Sequence, residues 1–298
     1  MNYWLSILLV FLGGASFGLP VIFVKLGYAS GFTPAQLTGA QIAFGTVLLW
    51  IPALFHLRKF RTLTLKSFGK LLLFGSFSGL TGIFYYMAAS YLPASFAIVL
   101  LFQFVWIGIL IEWIAERKPP HRYKVIALVI VLIGTVLAAD VSTMFSENVS
   151  PIGLLFGLGS ALSYALFLFF SGRIATEVSP WIRSPLMVTG SLVLIFCVYP
   201  PTFLFDGSLT NGLWPYGLLT GLFGSFIPIL CFTAGIPQIG SGLATILGSA
   251  ELPVAVIASR LILHEQVTGW QWVGVALILC GILVSERRSP VPHGEART

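Results

Sequence analysis

Charge is scarce in this chain. Only 9% of its 298 residues are Asp, Glu, Lys or Arg, whereas about a quarter of a typical soluble domain is charged. This scarcity excludes an ordinary water-soluble fold. Hydrophobic residues make up 57% of the sequence and fall in long runs between short polar links. The sequence therefore predicts an integral membrane protein whose helices lie in hydrocarbon.

The signatures of several chemistries are also missing. The three cysteines, Cys197, Cys231 and Cys280, lie in apolar runs without metal-ligand spacing, so we expect inert core residues and no metal site. The four histidines are dispersed at the ends of these runs and in the C-terminal tail. No phosphate-binding Walker loop occurs. We therefore expect no cofactor, no direct use of ATP and no enzymatic activity.

Ten runs are long enough to cross the membrane, which takes about 20 mostly apolar residues per helix. They cover residues 4–27, 34–56, 68–91, 94–115, 122–140, 151–174, 181–204, 213–236, 240–263 and 268–286. The first run is too long for a signal peptide and no basic residue precedes it, so we expect a retained helix. The links between runs leave no room for a soluble domain.

The basic residues set the orientation. With ten spans, 14 of the 16 Lys and Arg lie on the side of the N-terminus, and only Lys25 and Arg260 lie on the other. Cytoplasmic loops collect positive charge, so we expect a multi-pass protein of a bacterial-type inner membrane with both termini in the cytoplasm. The net charge of +6 then reflects topology rather than binding to nucleic acid.

The two halves of the chain resemble each other. The third and eighth spans share GxxxGxxG spacing, at Gly75, Gly79 and Gly82 and at Gly217, Gly221 and Gly224. The fifth and tenth spans match at residues 127–134 and 274–281, and each follows a helix that ends in an acid, Glu116 or Glu265. Small residues recur in any membrane bundle, but three matches in the same order favour an internal repeat.

Each predicted half has five helices, an odd number, so the second half must be inverted relative to the first. The links agree, because residues 58–66 are rich in Arg and Lys whereas residues 206–211 have none. The predicted fold is an all-α integral membrane protein with ten transmembrane helices in a 5+5 inverted-repeat transporter bundle. Its parts are residues 1–141, residues 150–287 and a cytoplasmic tail of residues 288–298.

Three segments carry a family resemblance: residues 16–25, residues 251–265 and residues 270–281. With the ten-helix repeat, they make nearly the whole chain similar to the EamA-type transporters of the drug/metabolite transporter superfamily. The resemblance implies export of amino acids, other metabolites or drugs by alternating access around a central cavity. Many members have Glu-Pro in the ninth span, where this chain has Glu251-Leu-Pro253. The matching place in the fourth span holds Gln103 and no acid, so coupling through two acids is not expected.

Glu251 is the strongest candidate for a transport residue. A charge at the bilayer centre costs about 2.5–3.5 kcal/mol on insertion scales, so such residues usually face a cavity or the bundle interior. Glu251 lies near the middle of the ninth span, and Pro253 removes a backbone donor close by. We expect it to bind an amine or a proton, the alternative being a hydrogen-bonded structural carboxyl. Gln103 lies at nearly the same depth and is the candidate for the opposite wall, or for a contact between helices.

Polar and aromatic side chains of the third, fourth and sixth spans complete the candidate substrate site. They are Tyr85, Tyr86, Trp106, Ser163 and Tyr164. Stacked rings with hydroxyl groups at their edges suit flat or cationic organic molecules, although most aromatic residues of a membrane protein serve packing. Glu112, Arg260 and Lys25 lie near span ends, where we expect structural roles, with Glu112 reaching water or Arg117. For Lys25 the alternative is that it attracts an anionic group.

The expected partners are a small-molecule solute, with protons as a second candidate, and the lipid bilayer. Proton antiport, facilitated diffusion and exchange all fit the sequence, as do a monomer and a homodimer. A flippase for lipid-linked carriers is the main alternative function. An intramembrane enzyme is a weaker one, because no nucleophile with its base lies within the spans, and a channel would show a polar stripe along a span.

Overall fold

The computed structural model describes residues 2–56, 63–139 and 150–286, and these form a helical bundle without a β-strand. The helices are α1 (Tyr3–Phe17), α2 (Pro20–Ala29), α3 (Pro34–Leu54), α4 (Leu65–Tyr91), α5 (Ala94–Leu101), α6 (Phe104–Glu116), α7 (Arg122–Ala138), α8 (Pro151–Ser171), α9 (Pro180–Val198), α10 (Trp214–Gly221), α11 (Ile227–Ile239), α12 (Ser241–Gly248), α13 (Glu251–Ile262) and α14 (Gly269–Glu286). Predictions for the basic link at residues 57–62 and for the tail at residues 288–298 lie outside the described residues.

Eight helical stretches in the described part of the chain are long and apolar enough to cross a membrane. They are Tyr3–Ala29, Pro34–Leu54, Leu65–Tyr91, Phe96–Glu116, Pro151–Ser171, Pro180–Val198, Leu209–Ile239 and Ser241–Ile262. The fifth and tenth predicted spans correspond to shorter helices, the 17-residue α7 and the apolar stretch Gly269–Ser285. The prediction of an all-α, multi-pass membrane protein is confirmed.

Three of these stretches are broken near the middle, between α1 and α2, between α5 and α6, and between α12 and α13. At each break a backbone N–H donates to the carbonyl three residues earlier, instead of four as in an α-helix. These hydrogen bonds are Leu19 N to Ser16 O, Gln103 N to Leu100 O and Ala250 N to Leu247 O. Pro20 and Pro253 contribute, because proline has no N–H to donate to the ladder. The breaks at Gln103 and Ala250 fall at matching places in the two halves, a feature typical of transporters.

The ends of two predicted spans are wrong. The seventh is predicted to reach residue 204, but α9 ends at Val198. Pro200 and Pro201 follow, and proline cannot continue a helix and also disfavours helical geometry in the residue before it. The eighth is predicted over residues 213–236, whereas the helical stretch runs over Leu209–Ile239, with a kink at Gly212 and a wider π-helical turn at Leu222–Phe226.

The connection after α9 is tied to the start of α3. The side-chain amide of Gln36 donates to Asp206 Oδ2 at 3.0 Å and to Ser208 Oγ at 2.7 Å. Hydrogen bonds from Ser208 and then from Gln36 hold the pKa of the exposed Asp206 below its ordinary value. This cluster joins the two halves of the chain at one end of the bundle.

The third span of each half packs against helices of the other half, so the contacts between the halves are symmetric. The third predicted span, α4, lies against α8 and α9 of the second half. Its counterpart, formed by α10 and α11, lies against α1 and α3 of the first half, and α7 lies against its own counterpart α14. Exchanging the halves therefore maps these helix contacts onto one another, as expected for a repeat whose halves share one interior.

Several of the repeated glycines lie at close contacts between the halves. A Cβ on Gly75 would overlap the backbone of Met187 in α9, and one on Gly221 would lie 2.7 Å from the backbone nitrogen of Gly45 in α3. The third glycine of each motif, Gly82 or Gly224, lines the central cavity, as does Gly79. The motif found in the sequence thus serves both helix packing and the cavity wall.

We expect Gly75→Ala to destabilise the protein, because its methyl group would push α4 away from α9. Overpacking of this kind costs about 1–3 kcal/mol. Gly82→Ala is the matched control on the same helix, since a Cβ there meets no atom within 4 Å. Thermal unfolding followed by tryptophan fluorescence in detergent should show a lower Tm for Gly75→Ala alone, and equal Tm values for the two variants would contradict the packing role.

Candidate functional site

A cavity of about 450 Å³ lies between the two halves, near the helix breaks. Its wall is formed mainly by α2, α3, α4 and α13, with two residues each from α5 and the turn Leu222–Phe226 and one each from α1, α8 and α9. It reaches the surface at the end that holds Lys25 and Tyr28, whose side chains are exposed. A volume of this size suits a small organic molecule.

Four of the seven predicted site residues line this cavity: Glu251, Tyr85, Tyr86 and Tyr164. They come from α13, α4 and α8, which lie far apart in the sequence. Glu251 is the first residue of α13, and the break before it is held against α1, since a Cβ on Gly18 would overlap the Glu251 carbonyl oxygen. This close contact between backbones places the Glu251 side chain at the cavity wall.

Gln103 and Trp106 bond to each other and to their own helix. Gln103 Nε2 donates to Val99 O at 2.9 Å, and Trp106 Nε1 donates to Gln103 Oε1 at 2.9 Å. Val99 O is available because the backbone N–H of Gln103 turns to Leu100 O at the break. The indole of Trp106 is 37% exposed at the outside of the bundle. The structure thus places both residues at the helix break, away from the residues that line the cavity.

Ser163 bonds to a neighbouring helix rather than facing the cavity. Its Oγ donates to Phe77 O in α4 at 2.8 Å. The matching serine of the first half, Ser16, donates to Phe223 O at 2.7 Å. These two bonds are related by the repeat, and each satisfies a backbone carbonyl at the contact between a first and a third span of opposite halves.

An aromatic cluster closes the inner end of the cavity. The ring of Tyr164 lies 6.0 Å from that of Phe17 and 4.5 Å from that of Phe104, between centroids. Phe17 in turn lies 5.9 Å from Phe232, and both Phe104 and Phe232 are fully buried. These four rings, the aromatic floor, come from α1, α6, α8 and α11 and separate the cavity from the opposite end of the bundle.

Below the aromatic floor, Glu112 holds three elements together. Its Oε2 accepts from Lys124 Nζ at 2.9 Å, and its Oε1 accepts from the backbone N–H of Gly242, at the start of α12, at 2.9 Å. The expectation that Glu112 reaches water or Arg117 is wrong, because the residue is only 8% exposed. A carboxylate at a helix N-terminus also interacts favourably with the helix dipole.

Among the described residues, one ion pair between the halves lies at each end of the bundle. At the closed end, Arg173 Nη2 pairs with Glu116 Oε1 at 2.5 Å. At the open end, Lys25 Nζ pairs with both carboxylate oxygens of Glu265, at 2.7 and 2.9 Å. Glu116 and Glu265 are the acids that the repeat relates, and each binds a base that belongs to the other half.

Arg183 is a buried residue whose position is not expected from the sequence. The sequence places Arg183 among the basic residues at the ends of the spans, where exposure is expected, yet it is only 1% exposed. Its guanidinium donates to Ser171 O and, at 3.0 Å, to Thr233 O, so it joins α8, α9 and α11 at the closed end. The sequence feature that indicates burial is its position inside the predicted span 181–204, because charged side chains within a span are rare and usually face the bundle interior.

The described residues contain no group of three or more His, Cys, Asp or Glu side chains that could hold a metal. Cys197 and Cys280 are exposed on the outside of the bundle and Cys231 is half-buried, so the expectation of three core cysteines is wrong for the first two. The segments around them are apolar, but the apolar medium around an outward-facing helix surface is lipid rather than protein.

A membrane bundle built from two repeats, with a largely apolar cavity that carries a few polar groups and is open at one end and closed at the other, defines a membrane transporter. The chain belongs to the EamA-like transporter family, whose sequence profile matches residues 4–139 and again residues 151–286. The resemblance found in the sequence is thereby confirmed, as is the repeated architecture. Membership indicates a transporter rather than an enzyme.

Named relatives agree with this assignment. The "Uncharacterized transporter YvbV" of Bacillus subtilis (strain 168) is 27% identical over 275 residues, which are 88% of this chain and 86% of the relative. The "Probable amino-acid metabolite efflux pump" of Escherichia coli (strain K12) is 24% identical over 285 residues, 90% of each chain. A solved structure titled "Crystal structure of protein" shares the fold, with a TM-score of 0.75 and 16% identity over 94% of this chain and 97% of the other.

Proposed function

We propose that this chain is a secondary transporter that exports small organic metabolites, amino-acid-like or related solutes, by alternating access around the central cavity. The observation that carries the proposal is the asymmetry of that cavity. It reaches the surface beside Lys25 and ends at the aromatic floor. A channel is open at both ends when it conducts, whereas a carrier exposes its site to one side at a time.

The proposed topology has ten spans in two inverted halves of five, residues 1–141 and 150–287, with both termini in the cytoplasm of a bacterial-type cell. In that orientation the open end of the cavity faces outward. Export then requires a second conformation in which the floor opens and the solute enters from the cytoplasm. The repeat supports such a state, because exchanging the conformations of inverted halves exchanges the open and closed ends.

The proposed solute-binding residues are Glu251, Tyr85, Tyr86 and Tyr164, because these four line the cavity. We assign Gln103, Trp106 and Ser163 to support of the helices that carry them, on the basis of their hydrogen bonds. The name of the Escherichia coli relative, an amino-acid metabolite efflux pump, supports an organic solute of this size.

A comparison of metabolites released by cells that overexpress the protein and by cells that lack its gene tests the proposal. We expect at least one small organic metabolite to accumulate outside the overexpressing cells. If export is coupled to protons, collapse of the proton gradient should stop this release; if it is not, release should continue. Competition by lipid-linked sugars in proteoliposomes would instead identify a flippase. Identical release by the two kinds of cell would overturn the proposal.

The inverted topology has its own test in labelled cysteine variants. We expect Asn211→Cys to react with a membrane-impermeant thiol reagent added to intact cells, and Leu65→Cys to react only after the membrane is opened. Both positions are exposed, and Cys197, Cys231 and Cys280 would first be replaced by serine. Labelling of both positions from the same side would rule out inverted halves.

A further inference from the structure

The charges at the cavity wall are unbalanced. Among the Asp, Glu, Lys and Arg side chains, Lys25 and Glu251 line the cavity. Lys25 is neutralised by Glu265, since both carboxylate oxygens of Glu265 accept from its ammonium group. Within the described residues, the Glu251 carboxylate has neither a hydrogen-bond donor nor an ion-pair partner. The described lining therefore offers one carboxyl group without a partner and no free basic side chain.

An unsatisfied hydroxyl lines the same cavity as that carboxyl group. Tyr164 is 5% exposed, and its hydroxyl has no hydrogen-bond partner in the part of the chain that the structure describes. Both Tyr164 and Glu251 line the cavity. Buried polar groups are normally hydrogen-bonded, so an unpaired hydroxyl and an unpaired carboxyl group in one cavity favour a ligand that donates hydrogen bonds.

We propose that the cavity selects organic amines that carry no free carboxylate next to the amine, with the ammonium group bound between Glu251 and the Tyr164 hydroxyl. This inference rests on the proposed transport function and narrows its substrate class. An ammonium group has up to three N–H donors and a positive charge, and carboxylate and phenol oxygens both accept. The rings of Tyr85 and Phe17 add faces that favour cations and flat apolar bodies.

Charge disfavours free α-amino acids. The ammonium and carboxylate of an α-amino acid are separated by roughly 3 Å, from standard bond lengths. A carboxylate held that close to the ammonium would share the wall with the Glu251 carboxylate, and like charges repel. Lys25, the basic side chain of the described lining, already pairs with Glu265. The α-carboxylate would therefore be left unpaired in a largely apolar wall.

Binding to the purified full-length protein in detergent tests this selection with four probes of similar size. Phenethylamine and phenylalaninamide present an ammonium group without a carboxylate, phenylalanine presents both, and 3-phenylpropionate presents only the carboxylate. We expect the first two to raise the Tm at millimolar concentration and to bind at least about tenfold more tightly than the last two. Glu251→Gln and Tyr164→Phe, which keep side-chain shape, should each weaken amine binding by about tenfold.

Three results would each overturn the amine selection. The first is phenylalanine binding as tightly as phenethylamine, and the second is no amine binding to a protein whose thermal unfolding shows that it is folded. The third is unchanged amine binding in Glu251→Gln. If the amines fail while overexpressing cells still release another metabolite, the substrate class is wrong and the transport function stands. If no metabolite is released either, the proposed function itself fails.

Discussion

Replacing Glu251 by Gln is expected to slow export about 10- to 100-fold while leaving the protein in the membrane at its normal level. Glu251 is the acidic side chain that lines the cavity without a partner among the described residues, and a hydrogen bond that involves a charged group contributes about 1.5–3 kcal/mol. Each 1.4 kcal/mol corresponds to a factor of about ten. The measurement is the initial rate of metabolite release from cells, with membrane levels of the protein determined in parallel.

Glu177→Gln is the matched control for this experiment. It makes the same chemical change at an exposed position in the connection between α8 and α9, away from the residues that line the cavity. We expect wild-type rates of export from this variant. Normal export by Glu251→Gln would remove the carboxylate from the mechanism, and equal losses in both variants would point to a general effect of charge on insertion.

Glu112→Leu is expected to destabilise the protein more than Gly75→Ala does. It would leave Lys124 without its carboxylate and the start of α12 without its acceptor for the Gly242 N–H. Breaking a buried ion pair by removing one partner costs about 3–5 kcal/mol, and this pair is only partly shielded from solvent, so a value toward the lower end is expected. Thermal unfolding in detergent, followed by tryptophan fluorescence, measures the loss.

A double variant separates the two parts of that cost. Lys124→Met in the Glu112→Leu background removes the unpaired ammonium group, so we expect it to recover part of the lost Tm. Glu112→Gln retains an acceptor for the Gly242 N–H and should be milder than Glu112→Leu. A Glu112→Leu variant with the wild-type Tm would show that the closed end of the bundle does not depend on this carboxylate.

The candidate site illustrates why polar residues at similar depth are hard to rank from sequence. Alignment of the repeats pairs Gln103 and Glu251 as opposite walls of one site. The structure separates them, since the Gln103 amide bonds Val99 O, a carbonyl freed by the helix break, whereas Glu251 lines the cavity. The depth of a side chain in the membrane follows from counting residues along the span. The direction in which that side chain faces depends on the local break in the helix.

The buried polar residues at the closed end show a related difficulty. Arg183 and Glu112 lie near the ends of predicted spans, where long side chains commonly reach water. Both are instead buried, because backbone groups of other helices, Thr233 O and the Gly242 N–H, approach within hydrogen-bond distance. Which distant backbone group approaches a given side chain is not encoded in the local sequence.

The sequence by itself determined the membrane environment, the helical class, the internal repeat and the family, since each of these depends on local composition or on spacing along the chain. The tertiary structure decided which side chains meet at the cavity and which end is closed. Tyr85, Tyr164 and Glu251 share one cavity because small residues such as Gly18 and Gly75 let the helix backbones come close. Contacts between segments far apart in the chain depend on the packing of all helices at once, and no local pattern specifies them.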